Sequence, residues 1–167
     1  AWLEQEAEAL RALQPAVLAA AIARSCRDKA EIVAADERES GQRALLNLGH
    51  SFGHAIEAGA GYGAWLHGEA VGVGMLMAAD LSARLGWLGT EELSRIRGLI
   101  ARCGLPVTPP AGISVERWLE LMAVDKKALG GQLRLVLLRG IGDALVTSDF
   151  DPDLLRATLS ASMSARA

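Results

Sequence analysis

The sequence predicts a mainly α-helical domain of several helices, with one small β-hairpin near its carboxyl end. Apolar residues recur at helical spacing from residue 2 to about residue 124. Glycine and proline clusters interrupt this pattern at intervals typical of helix ends. Residues 132–139 change to an alternating and then apolar pattern typical of a strand, and a second short strand is expected over residues 144–147. At 167 residues and 51% hydrophobic content, the chain fits one globular domain, residues 1–167.

Charge and cysteine content exclude some functional classes. The net charge of −3 provides no basic surface of the kind that nucleic acids require. No apolar run reaches about 18 residues, so no membrane span or membrane partner is expected. Cys26 and Cys103 form no CxxC pair, which favours a reduced, cytoplasmic protein but leaves a disulfide open. The chain starts with alanine in the middle of a helical pattern, which suggests a domain of a longer protein.

Two helices are expected before the first polar interruption. Residues 2–13 carry a one-sided apolar pattern, and Pro15 suits the first turn of a second helix that reaches about Ala35. Segment 36–41 is polar and ends in glycine, which predicts a loop. The side chains of the second helix that we expect to face the core are Val17, Leu18, Ala21, Ile22, Cys26, Ile32 and Val33.

The next two helices should pack closely. One is expected over residues 43–57 and the other over residues 69–85, with His67 opening it after a glycine-rich loop. Glycine in a helix interior costs roughly 1 kcal/mol relative to alanine, so its presence suggests close approach by another element. Gly49 and Gly53 lie in the first helix and Gly72 and Gly74 in the second. The second helix is apolar nearly all round, as a central core helix would be.

The remaining pattern predicts a helix over residues 90–103 and a shorter one over residues 114–124 that ends at Asp125-Lys126-Lys127. Strands are expected over residues 132–139 and 144–147, joined by a tight turn. A last helix should start from Ser148 or Asp149 as its cap and run to about Ser162.

All three histidines of the chain lie within residues 46–68. His50 and His54 are four residues apart, so both lie on one face of a helix, and His67 could face the same pocket from the next helix. Imidazole is the commonest metal ligand, which favours metal or substrate contact over capping or buried hydrogen bonds. Ser51 occupies the position of the glutamate in HExxH, so a metalloprotease is excluded. Two or three histidines barely reach the three protein ligands that a catalytic site needs.

Lysine is scarce in this chain. Only Lys29, Lys126 and Lys127 occur among 17 basic residues, and the others are arginine. Lysine binds phosphate as a compact point charge, so each of the three is a candidate for a specific role. Chance survival of three exposed lysines explains the pattern about equally well.

Several segments together resemble the 3-dehydroquinate synthase family. They are KAEIV at residues 29–33, DERE at 36–39, LNLGHSFGHAIE at 46–57, HGEAV at 67–71, AVDKK at 123–127 and LRLVLL at 133–138. The resemblance implies the C-terminal, mostly helical domain of that enzyme, without the N-terminal NAD-binding domain. It further implies conversion of 3-deoxy-arabino-heptulosonate 7-phosphate to 3-dehydroquinate and phosphate in the shikimate pathway, with NAD and zinc or cobalt as cofactors. The missing domain would be a partner, and the full enzyme a homodimer.

The resemblance also implies roles for particular residues. His50 and His67 match two metal ligands, while the third, a glutamate, would lie upstream of residue 1. His54 matches a residue near the leaving phosphate and Glu39 a proton acceptor. Arg43 and Asn47, one helical turn apart on the face of His50 and His54, match substrate contacts, although both could instead cap the start of the helix. Lysines at position 29 and at either 126 or 127 match cations that hold the acidic ends of the substrate.

Three other interpretations stay open at this point. Related sugar-phosphate cyclases and iron-dependent alcohol dehydrogenases resemble the same architecture, although LNLGHSFGHAIE and AVDKK favour dehydroquinate synthase over the dehydrogenases. A non-catalytic helical module would leave the histidine motif unused. Because the metal site would be incomplete, we expect the isolated chain to be inactive.

Overall fold

The computed structural model describes residues 1–37, 41–61, 63–128 and 132–164 and confirms the expected class, a helical body with a two-stranded hairpin. None of the helices in these ranges is both long and apolar enough to cross a membrane. In chain order, the elements are α1 (Trp2–Arg11), α2 (Pro15–Ala35), a 3-10 helix (Gln42–Asn47), α3 (His50–Ala60), α4 (His67–Arg84), α5 (Thr90–Arg102), α6 (Val115–Ala128), β1 (Leu135–Gly140), β2 (Asp143–Thr147) and α7 (Pro152–Ser164).

Helix α4 forms the centre of the fold and packs against α3, α5, α7 and β1. Ten of its residues are buried, and they lie on several sides of the helix, as its apolar composition predicted. Trp118 on α6 and Phe52 on α3 are also almost fully buried. The core cluster includes Phe52, Ile56, Val73, Met77, Leu81, Trp118, Met122, Leu135, Leu137 and Leu159.

Glycines bring α3 and α4 into backbone contact, as their positions predicted. A Cβ atom on Gly74 would lie 2.1 Å from the carbonyl oxygen of Gly49. A Cβ atom on Gly53 would meet the backbone of Val71 at 3.2 Å. Gly72 lies against Leu105 instead, with its Cβ position 3.3 Å from a methyl carbon of that side chain. The close crossing therefore depends on the absence of side chains at the first two contacts.

The prediction of a single helix over residues 43–57 is wrong. The chain forms the 3-10 helix up to Asn47, turns, and starts α3 at His50 with Gly49 as its N-cap. Gly49 has φ = +82°, a left-handed conformation that few other residues adopt readily. A Cβ atom there would lie 2.4 Å from the amide nitrogen of Met75. Both the conformation and the contact with α4 thus require glycine at the break.

The prediction of which α2 side chains face the core is only partly correct. None of the residues of α2 is buried, and its main neighbours are α1 and the 3-10 helix. Val17, Ala21, Ile32 and Val33 are half-buried, as expected for a helix with partial cover. Leu18, Ile22 and Cys26 are exposed, with 56% of Ile22 accessible. Cys26 and Cys103 are both free thiols, so the disulfide left open by the sequence does not form.

The boundaries of the later elements differ modestly from those predicted. Helix α6 continues through Asp125-Lys126-Lys127 to Ala128, and β1 starts at Leu135 rather than at residue 132. Helix α7 starts at Pro152 instead of after Ser148 or Asp149, because the Asp151 carboxylate accepts a hydrogen bond from the Asp153 amide at 2.8 Å.

Two half-buried carboxylates, those of Glu4 and Glu92, join neighbouring elements to α5. The Glu4 carboxylate of α1 accepts hydrogen bonds from the Arg95 guanidinium, which lowers the Glu4 pKa to about 2. The Glu92 carboxylate accepts bonds from the amides of Ile141, at the hairpin turn, and Gly89. These backbone donors lower the pKa of Glu92.

One buried hydroxyl joins α4 to the hairpin. Ser82 is fully buried; its Oγ donates to the Ala78 carbonyl at 2.7 Å and accepts from the Leu138 amide at 2.9 Å. This amide lies in β1, which pairs with β2 in antiparallel register with Leu138 opposite Ala144. Ser82 therefore satisfies a buried backbone donor that faces the core rather than the partner strand.

Replacing Ser82 with alanine should leave the Leu138 amide buried without a partner. We expect the free energy of unfolding to fall by about 1–3 kcal/mol, the usual cost of a buried unsatisfied donor. Chemical denaturation followed by circular dichroism measures this change. Ser162→Ala is the control, because Ser162 is half-buried and, within the described residues, its hydroxyl donates only to the Leu159 carbonyl. Equal, small effects of the two substitutions would contradict this role for Ser82.

Candidate metal and substrate site

The structure brings all three histidines together. The ring centroids of His50 and His67 lie 5.5 Å apart, those of His50 and His54 5.6 Å apart, and those of His54 and His67 6.0 Å apart. We call these three side chains the imidazole cluster. His50 is half-buried, whereas His54 and His67 are exposed, so the cluster opens to solvent.

The packing of α3 on α4 assembles the cluster. His50 is the first residue of α3 and His54 lies one turn later on the same face. His67 is the first residue of α4, which is held against α3 by the glycine contacts. The left-handed turn at Gly49 fixes where α3 begins and hence where His50 projects. The backbone contacts that build the core therefore also position the imidazoles.

Two hydrogen bonds orient the rings. His67 Nδ1 lies 3.1 Å from Glu57 Oε2, and His50 Nδ1 lies 3.4 Å from the Leu48 carbonyl oxygen. Carboxylate and carbonyl oxygens accept hydrogen bonds, so in both pairs the imidazole nitrogen is the donor. In its neutral form, each ring then has its lone pair on Nε2, where a metal ion or a substrate proton can bind.

The possible metal-ligand atoms that lie closest together come from residues that differ in part from the predicted pair of His50 and His67. One ligand atom each from His54, Glu57 and His67 lies within 4.8 Å of the others, and this is the compact donor group in the described part of the chain. His50 lies outside this group although its ring contacts both other imidazoles. Glu57 was missed from the sequence, yet it lies three residues after His54 and therefore on the same face of α3.

The expected alignment of Arg43 and Asn47 with the histidines on one helix is wrong, because the break at Gly49 separates them from α3. Arg43 is half-buried and its guanidinium donates to the Glu37 carbonyl at 2.9 Å. Asn47 is exposed at the end of the 3-10 helix, and the N-cap residue of α3 is Gly49. The substrate contacts of both residues stay predictions.

Of the remaining predicted site residues, only Lys29 has a described side chain. Lys29 is exposed on α2, and its substrate contact stays a prediction. Glu39 lies outside the described residues, as do the side chains of Lys126 and Lys127.

The family model described as 3-dehydroquinate synthase C-terminal matches residues 1–128. Among curated proteins, the 3-dehydroquinate synthase of Nitrosococcus oceani is 65% identical over 158 residues, which cover 95% of this chain and 44% of that protein. The 3-dehydroquinate synthase of Pseudomonas aeruginosa is 60% identical over 95% of this chain and 43% of its own length. The chain thus spans less than half the length of these relatives.

Solved structures of two other synthases share the fold. The 2-epi-5-epi-valiolone synthase of Streptomyces hygroscopicus, with NAD⁺ and Zn²⁺ bound, matches with a TM-score of 0.82 at 26% identity, covering 98% of this chain and 46% of its own. A 2-deoxy-scyllo-inosose synthase in complex with carbaglucose-6-phosphate, NAD⁺ and Co²⁺ matches with a TM-score of 0.59 at 25% identity, covering 72% of this chain and 35% of its own.

Proposed function

The chain belongs to the 3-dehydroquinate synthase C-terminal family, and we propose that it forms the metal- and substrate-binding part of a 3-dehydroquinate synthase. The reaction would convert 3-deoxy-arabino-heptulosonate 7-phosphate to 3-dehydroquinate and phosphate. NAD would be held mainly by an N-terminal domain that precedes these residues in the whole enzyme. The observation that carries the proposal is the imidazole cluster, built where α3 and α4 begin.

The imidazole cluster has dimensions that fit a shared metal ion. With a zinc–nitrogen bond of about 2.1 Å and a ring centroid about 1.2 Å beyond the nitrogen, two imidazoles at the tetrahedral angle have centroids about 5.4 Å apart. The separation of 5.5 Å between His50 and His67 is close to this distance. We propose that these two residues hold zinc or cobalt, with a third ligand from the N-terminal part. A bound divalent ion would act as a Lewis acid toward substrate oxygens.

We assign the other residues by the charges that the substrate carries. Arg43 and Lys29, with Lys126 or Lys127, would bind its carboxylate and phosphate, because guanidinium and ammonium groups suit these anions. Asn47 would hydrogen-bond the sugar. His54 would move a proton at the leaving phosphate, and Glu39 would accept one. Since the chain has a net charge of −3, these few cations would have to attract the substrate locally.

The second candidate is a related sugar-phosphate cyclase, which the structural neighbours favour. Identity of 60–65% to the 3-dehydroquinate synthases, against 26% to the valiolone synthase, supports the first candidate. The substrates of the two classes would differ in whether a carboxylate is bound. We also propose a homodimeric, cytoplasmic whole enzyme, and the two free thiols are compatible with a reducing compartment.

A fusion tests the proposal directly. We expect the 167-residue chain alone to release no phosphate from the heptulosonate phosphate with NAD and zinc, because a metal ligand and the NAD site would be missing. Joining it to the N-terminal portion of the Nitrosococcus oceani relative should produce turnover. Phosphate release and product formation measure both outcomes.

Two results would contradict the proposal. Turnover by the chain alone would show that no further domain is needed. A folded fusion that binds NAD yet releases no phosphate would refute the assigned activity.

A substrate analogue without the carboxylate should lower kcat/KM in the fusion by about 100-fold or more, since the cations would lose a charged partner. An unchanged kcat/KM would favour the cyclase.

A further inference from the structure

We infer that Glu57 is a positioning residue that fixes the tautomer and orientation of His67, so that His67 presents Nε2 to the metal ion. This inference rests on the proposed function, in which His67 is a metal ligand. Glu57 has no role in the assignments above, although it lies in the compact donor group with His54 and His67.

The contact between Glu57 and His67 joins two elements. Glu57 belongs to α3 and His67 opens α4, and Glu57 Oε2 lies 3.1 Å from His67 Nδ1 across the loop between them. The side chain of His67 is 57% exposed, whereas that of Glu57 is only 20% exposed. The carboxylate is therefore the more buried partner. It restrains an imidazole that would otherwise be free to rotate in solvent.

The hydrogen bond also selects a protonation pattern. A carboxylate accepts hydrogen bonds, so a neutral His67 carries its proton on Nδ1 and leaves the lone pair on Nε2. Histidines that bind metals commonly donate their second nitrogen to a carboxylate, which raises ligand basicity and fixes ring orientation. Glu57 and His67 have the geometry of such a pair.

Direct coordination by Glu57 is the competing arrangement. Its oxygen belongs to the same donor group, so an ion could lie among His54, Glu57 and His67. If the ion took Glu57 Oε2 and His67 Nδ1 as its ligand atoms, the Glu57–His67 hydrogen bond would have to break and His67 would have to lose its proton from Nδ1. We favour the positioning role because Oε2 is already committed to Nδ1 at a normal hydrogen-bond distance.

Zinc affinity provides the first test, measured by competition with a chelator on the fusion described above. We expect Glu57→Ala to raise the zinc dissociation constant by 10–100-fold, the usual effect of removing such a partner. Glu57→Gln should have a smaller effect, because its amide oxygen can still accept from Nδ1. Glu120→Gln is the control, because within the described residues Glu120 pairs only with Arg117, on the surface of α6. A Glu57→Ala variant with unchanged affinity would overturn the inference.

Nitrogen-15 chemical shifts of the imidazoles provide a second test without metal or turnover. In the metal-free wild-type chain, His67 should show the Nδ1-protonated tautomer, and in Glu57→Ala it should show a mixture of tautomers. A mainly Nε2-protonated His67 in the wild type would overturn the inference. This measurement uses the unaltered protein, so it stands even if a variant folds poorly.

His67→Ala separates this inference from the proposed function. If zinc affinity falls sharply in His67→Ala but not in Glu57→Ala, the metal site stands and the positioning role fails. If His67→Ala leaves zinc affinity unchanged, both fail.

Discussion

Replacing either His50 or His67 with alanine is expected to weaken zinc binding to the fused enzyme by more than about 100-fold and to abolish measurable turnover. A catalytic zinc site has about three protein ligands, so the loss of one leaves too few to hold the ion. The effect should exceed that of losing a hydrogen-bonded partner of a ligand, which is about 10–100-fold. Zinc titration and phosphate release measure the two consequences separately.

His54→Ala is the matched comparison for these two substitutions. His54 lies within 6.0 Å of both other rings, yet we assign it proton transfer rather than coordination. We expect zinc affinity to change by less than about tenfold while kcat falls by about 10²–10⁴-fold, the usual contribution of a general acid or base. If His54→Ala instead abolishes zinc binding and His50→Ala does not, the ion is held by the compact donor group of His54, Glu57 and His67.

Gly74→Ala is expected to have the largest effect on stability. The added Cβ would lie 2.1 Å from the carbonyl oxygen of Gly49 and 2.9 Å from the amide nitrogen of Gly53. Both contacts are backbone atoms, which cannot turn aside as a flexible side chain can. We expect the free energy of unfolding to fall by about 3 kcal/mol or more, at the upper end of overpacking costs. Because α3 and α4 would have to separate, zinc affinity should fall as well.

Gly98→Ala provides the control for that substitution. Gly98 lies inside α5, and a Cβ atom there would meet nothing within 4 Å. Since alanine is the better helix former, we expect this change to stabilise the protein by roughly 0.5–1 kcal/mol. Denaturant unfolding of both variants measures the contrast. A Gly74→Ala protein as stable as the wild type would contradict the close backbone contact between α3 and α4.

The helices predicted well from the sequence are those in which the apolar pattern and the helix-end signals indicate the same boundaries. Helix α4 begins at His67 as expected, and Gly86, just beyond its C-cap residue Leu85, has φ = +75°. The hairpin was predicted because its alternation differs from the helical period around it. Glycine positions in residues 49–74 also indicated the close packing of α3 on α4, since no local reason explains them.

The break before α3 could not be predicted from local pattern. A 3-10 helix and an α-helix place apolar residues at similar spacing over one or two turns, so residues 43–57 read as continuous. Gly49 combines a left-handed conformation with close approach to Met75 on α4, and the second feature is a tertiary contact. For α2, periodicity showed which face is apolar but not how much of it is covered, and Ile22 is exposed.

The convergence of the histidines was predicted more successfully than the donor set. Spacing placed His50 and His54 on one face and His67 across a turn, and the three rings do meet. Glu57 was missed because it was expected to end a helix, whereas α3 continues to Ala60 and holds Glu57 toward His67.

The position of the metal ion relative to the imidazoles tests the account most directly. Anomalous diffraction at the zinc edge, from crystals of the zinc-loaded fusion, would locate it. We expect one ion about 2.1 Å from Nε2 of both His50 and His67, with Glu57 bonded to Nδ1 of His67 and not to the ion. An ion bound by His54 and Glu57 without His50, or no ion at the imidazole cluster, would contradict the account.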